Sequence, residues 1–237
     1  MVSYAGQLYT KQDYHNNKMV DCEKNNQKTH GALRGFKVAS FLAGTEHADS
    51  GVLSRFYQAV ESGLTAAQSG TTLEKLHPEA TMESQCMAVV VEAVRLLFLN
   101  EIMPEDLMSA VLDILPPGSI FDNPLRAKLI QAQDYLEERQ TLVNNAEASD
   151  LNIDILEIDY RNARRCGSGH NLEEAIAAAF YAFTARKHNF RDVVEIALRA
   201  GNPAISAPVA AALAGATIGL DSVPAEWLEQ AGFGKKE

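Results

Sequence analysis

Ala200-Gly201-Asn202-Pro203-Ala204-Ile205-Ser206-Ala207-Pro208-Val209-Ala210-Ala211-Ala212-Leu213-Ala214-Gly215-Ala216-Thr217-Ile218-Gly219-Leu220 is the longest stretch of this chain without a charged side chain. It has the length of a membrane span but not the hydrophobicity, because alanine and glycine dominate and Pro203 and Pro208 lie inside it. Small residues let helices approach closely. The stretch therefore reads as a helix, Ala207 to Gly219 with Ser206 as its cap, buried among other helices. No membrane association is expected.

Working outward, the same helical signal recurs. Asn171 with Glu174 forms a capping-box variant before Ile176, Phe180 and Phe183. Asn189 with Asp192 starts the next helix, which Gly201 ends. Pro224 opens a last short helix with Trp227 and Leu228. Upstream, Val52, Phe56, Tyr57, Val60 and Leu64 follow a 3.6-residue stripe. Thr81 can cap a strongly apolar helix from Met82 to about Asn100. Pro104 suits a first helical turn, with Glu105 and Asp106 at the positive helix end. Pro116-Pro117-Gly118 stops that helix, and Asp122-Asn123-Pro124 opens a long amphipathic one running to about Asn144. Asn145 to Asp150 reads as a polar loop and hinge, and Leu151 to Ile158 as a short helix or extended linker. There is no hairpin signal, no strand–helix alternation and no repeat. The fold class is all-α, one compact multi-helix domain over 31–237. Residues 1–30, polar and rich in Asn, Lys and Tyr, are expected to form an arm outside it.

Composition narrows the function. The 237 residues are 46% hydrophobic and 22% charged, an ordinary globular profile. With 31 acidic against 21 basic residues the net charge is −10, which disfavours phosphate-backbone binding; no nucleic acid is expected. Cys22, Cys86 and Cys166 form no CxxC pair, so neither a zinc site nor a disulfide framework is indicated, and a cytoplasmic location is expected. Met1 to Gln27 has no apolar h-region, so it is not expected to be a signal peptide.

Few residues carry a chemical signature. The pairs Glu105-Asp106, Glu137-Glu138 and Glu173-Glu174 suit helix starts or solvated faces. None of the six histidines forms an HxH or HExxH spacing, although His77 stands at a helix entrance and His170 follows a glycine turn. Gly167-Ser168-Gly169 before a capped helix offers backbone N–H groups that could cradle an anion. No catalytic nucleophile motif is present.

The segment Gly167 to Phe183, then His188-Asn189-Phe190, Ala200 to Ala207, the Ala/Gly-rich Ala210 to Gly219 and Val223-Pro224-Ala225-Glu226-Trp227-Leu228 follow one another in an order that resembles the C-terminal section of the ADP-ribosylglycohydrolase family. Upstream, Gly31-Ala32-Leu33-Arg34 is similar to a ligand-bordering turn of that family, and Leu76-His77-Pro78-Glu79-Ala80 to its T-H-x-x-P-E-A stretch. The resemblance implies an all-helical fold, here lacking the family's N-terminal section, and a site including Gly31, Arg34, His77, Gly167, Ser168, Gly169, His170 and Asn202.

The resemblance also implies two magnesium ions, held by an Asp-Asp-Thr cluster and by the D-T-D-T of a C-terminal motif. This chain departs from both. Asn202-Pro203-Ala204-Ile205 stands where D-T-D-T would be, and no Asp-Asp-Thr occurs. Magnesium needs carboxylate or hydroxyl oxygens, so no catalytic residue, metal or cofactor is expected. The expectation is a degenerate, non-catalytic family member that binds an ADP-ribose-like ligand or a protein partner, with self-association following if the missing section uncovers an apolar surface. The alternatives are an active hydrolase with a rebuilt metal site and an unrelated helical adaptor.

Overall fold

The computed structural model describes residues 11–45, 51–72, 76–77, 79–116, 123–167 and 171–233, with the side chains of the first helix described from residue 23 onward. Among them are ten α-helices and no strand: α1 Lys11–Leu42, α2 Gly51–Ser69, α3 Met82–Leu99, α4 Leu107–Leu112, α5 Pro124–Ala148, α6 Ile155–Cys166, α7 Leu172–Arg186, α8 Phe190–Ala197, α9 Pro203–Ile218 and α10 Ala225–Gln230. No helix among the described residues is long and apolar enough to cross a membrane.

The uncharged stretch is the centre of the molecule. Every residue of α9 from Ile205 to Ala216 is buried, with α1, α7, α8 and α3 packed around it. A helix that is apolar on all sides can only be satisfied this way. Small side chains set the spacing. A Cβ on Gly31 would lie 2.6 Å from the Gly219 carbonyl carbon and 2.7 Å from the Gly215 oxygen, and one on Gly35 would lie 3.0 Å from the Ala211 oxygen. α1 and α9 thus run antiparallel, nearly backbone to backbone. α7 is the second central helix, buried at every position from Ala175 to Phe183.

The helix starts follow local chemistry. Thr81 accepts a hydrogen bond from the Ser84 N–H at 3.2 Å, Asn123 from Arg126 at 3.0 Å and Asn189 from Asp192 at 3.1 Å, each satisfying an N–H left open by the first turn. Asp154 caps α6 through the Leu156 and Glu157 N–H groups, after an extended connection from Leu151.

Four local expectations are corrected. α1 runs unbroken across residue 30, and Lys28 is 3% exposed, so residues 11–30 are helix rather than a loop-like arm. Lys28 explains how a polar segment is retained: its amine donates to the Leu97 and Phe98 carbonyls and to Asn100 Oδ1, at 3.3, 3.0 and 2.8 Å, closing the C-terminal end of α3. Ser206 is not a cap. α9 starts at Pro203, four residues before the expected Ala207, and the Ser206 hydroxyl donates to carbonyls. Asn171 begins α7 without a side-chain cap bond; Glu174 pairs with Lys128 at 3.2 Å instead. α5 continues through the expected hinge to Ala148.

Candidate functional site

The antiparallel register of α1 and α9 decides what can converge. Gly31 faces Gly215 and Gly35 faces Ala211, so Leu42 is carried towards Ala204. From Asn202 to Gly215 the chain climbs roughly 20 Å of helix at 1.5 Å per residue. Gly31 and Arg34 therefore lie at the far end of α9 from Asn202. They occupy a helix interior, not a turn. The Arg34 guanidinium lies 5.9 Å from the Phe233 ring centroid, and Gly31 serves the close helix contact. Neither borders the seam at Asn202.

Gly167 and Asn202 are brought together. The Gly201 N–H donates to the Gly167 carbonyl, joining the end of α6 to the turn before α9. Gly167 is buried, and a Cβ there would sit 2.8 Å from the Glu174 carbonyl oxygen, so only glycine permits the chain to pass so close to α7. Ser168, Gly169 and His170 lie outside the described residues.

The first turns of α3 belong to the same end. Burial pushes the Cys86 thiol up to about 12, with the Glu173 and Glu83 carboxylates adding to the rise, and α3 packs against α7. Glu83 pairs with Arg55 at 2.6 Å. His77 precedes this start, exposed, with Nδ1 accepting from the Glu79 N–H at 3.3 Å, while the Leu76 N–H binds the Ile114 carbonyl. The starts of α7 and α9 flank the Gly167–Gly201 seam, and α3, antiparallel to α1 because Lys28 reaches its last carbonyls, starts at the same end of the bundle. Each end carries partial positive charge from its open N–H groups. Thr81, Glu83 and Ser84 at the start of α3 were not singled out from sequence as site residues. Thr81 reads from sequence only as a helix cap, which it is.

The first turn of α9 does not present a cation-binding face. Ile205 is 8% exposed and packs in the core. The Ser206 hydroxyl donates to the Ala197 and Asn202 carbonyls, both at 2.9 Å. Ala204 has no oxygen beyond its backbone. The two magnesium ions that the resemblance implies do not fit this turn. Among the described residues no group of three or more His, Cys, Asp or Glu side chains is placed to hold a metal.

Comparison with known families agrees with this architecture. The family model described as ADP-ribosylglycohydrolase matches residues 11–236. The chain belongs to the ADP-ribosylglycohydrolase family. The match takes in α1 from its first residue, including the segment expected to stand outside the domain, and it sets aside the unrelated helical adaptor. No curated protein and no solved structure gives a match.

Proposed function

We propose that this family member does not hydrolyse ADP-ribosyl bonds by two-metal chemistry and instead binds an ADP-ribose-like ligand at the Gly167–Gly201 seam. The observation that carries the reading is the first turn of α9. Metal-assisted hydrolysis needs a fixed cluster of anionic oxygens to hold the ions and orient water. Here the turn contributes a neutral Asn202, an Ala204 methyl and an Ile205 side chain turned into the core. Binding is supported by a different feature. The starts of α7 and α9 flank the seam, and helix N-termini favour phosphate groups.

Calorimetry with ADP-ribose, with and without magnesium, tests both halves of the reading. The expected result is binding that magnesium does not strengthen, with no release of ADP-ribose from modified arginine, serine or O-acetyl substrates. Turnover that appears with magnesium and disappears with a chelator would overturn the non-catalytic half. Absence of ADP-ribose binding would overturn the other.

A further inference from the structure

The outward face of the α5–α6 hairpin carries two charged rows of opposite sign, side by side. The hairpin register is fixed by Arg139 Nε donating to Asp159 at 2.6 Å, by Asn162 Nδ2 reaching the Tyr135 carbonyl at 3.5 Å and by the Arg165–Glu138 pair at 3.2 Å. Residues 134–138 of α5 therefore stand level with residues 161–165 of α6. At 100° per residue, Asp134 and Glu137 lie on the side of α5 away from its buried stripe, and Arg161 and Arg164 do the same on α6. All four are exposed, and none forms an ion pair within the chain among the described residues. Asp134 and Glu137 line a shallow depression of about 540 Å³ beside Leu142, whose side chain is 44% exposed.

We propose that this face pairs with the same face of a second copy of the chain. A two-fold axis parallel to the helices lays α5 of one protomer over α6 of its partner, and the reverse. Each acidic row then meets a basic row at its own level, twice per dimer. The contact is isologous and closes on itself, so it ends at two copies. The two-fold in this plane perpendicular to the helices sets α5 on α5 and acid on acid. Leu142 supplies an apolar flank. α6 is only about 18 Å long, so the interface is small, and a weak, salt-sensitive dimer is the form that fits. This proposal does not depend on what the seam binds.

Sedimentation velocity at ~100 µM in low salt should show a dimer whose dissociation constant weakens about tenfold between ~0.05 and ~0.3 M salt. Two reversed variants decide the geometry. Arg161→Glu with Arg164→Glu makes both rows acidic, and Asp134→Arg with Glu137→Arg makes both basic. Each variant alone should be monomeric with an unchanged circular dichroism spectrum, and an equal mixture should form a dimer again, because both strips are then complementary. A wild-type monomer under these conditions overturns the proposal. So does a dimer that either reversal leaves intact, or a mixture that stays monomeric.

Discussion

Gly31 of α1 and Gly215 of α9 face each other with no side chain between them, and a Cβ added to either would enter the other's backbone. Neither backbone can swing aside as a flexible side chain would. Gly31→Ala is expected to cost about 1–3 kcal/mol through overpacking. Gly51→Ala, where nothing lies within 4 Å of the added carbon, should leave the Tm unchanged. Thermal melts of the two variants check this. Equal melting temperatures would show that the crossing is looser than described.

Asp159 is fully buried and accepts from Arg139 Nε at 2.6 Å, Arg186 Nε at 2.8 Å and the Tyr181 hydroxyl at 3.0 Å. One carboxylate thus ties α5, α6 and α7 together. Asp159→Ala leaves two guanidiniums and a phenol without their acceptor and should cost about 3–5 kcal/mol. Tyr181→Phe removes a single neutral donor and should cost about 1 kcal/mol. Urea unfolding of both variants gives the comparison, and an Asp159→Ala loss no larger than that of Tyr181→Phe would contradict the network.

Lys28 gives a pH signature. Burial, with Lys24 nearby, pulls its amine down to about 8 from an ordinary 10.5. The unfolded chain therefore holds this proton to higher pH than the folded one. The contribution to stability is present above the unfolded value, declines as pH falls towards 8, and is lost below that. Between pH 8 and 10.5 the wild type should gain up to about 3 kcal/mol relative to Lys28→Met. Denaturation curves at pH 7, 8.5 and 10 follow the difference. A difference that is flat or falls with pH would contradict the assignment.

Cys86 and Cys166 are buried, and burial is the main cause pushing both thiols up to about 12. The thiolate is the reactive form. Neither cysteine should be alkylated at pH 8 in the folded protein, and both should react once denaturant is added. Mass spectrometry of peptides from native and unfolded samples resolves the two sites.

The parts of the fold that were legible in the sequence share one property: their local chemistry and their tertiary role agree. Thr81, Asn123 and Asn189 were read as helix starts and each accepts the N–H that such a start leaves open. The uncharged Ala/Gly helix was read as buried, and it is. The misreadings fall where the two levels disagree. Residues 11–30 are polar by composition, yet they are helix, and one lysine among them is buried against the last carbonyls of α3. Gly31 resembles a ligand-bordering turn of the family, whereas here it lies within α1 and lets two helices touch. Ser206 looked like a cap because it precedes an alanine run, but Asn202 and Pro203 had already started the helix. Of the candidate site residues, Gly167 and Asn202 meet at the seam, and His77 stands just before the start of α3. Gly31 and Arg34 lie at the other end of α9, a separation that only the antiparallel register reveals.

α1 and α9 lie near opposite ends of the sequence and make the most extensive helix pairing in the molecule. α7 and α8 lie just before α9 in the sequence and can pack on it early, but α1, its most extensive partner, is separated from it by most of the chain. Folding must therefore close nearly the whole chain into a ring before its central helix is sheltered, a non-local step that slows acquisition of the native state. Until that closure one side of an uncharged, alanine-rich helix stays open to aggregation.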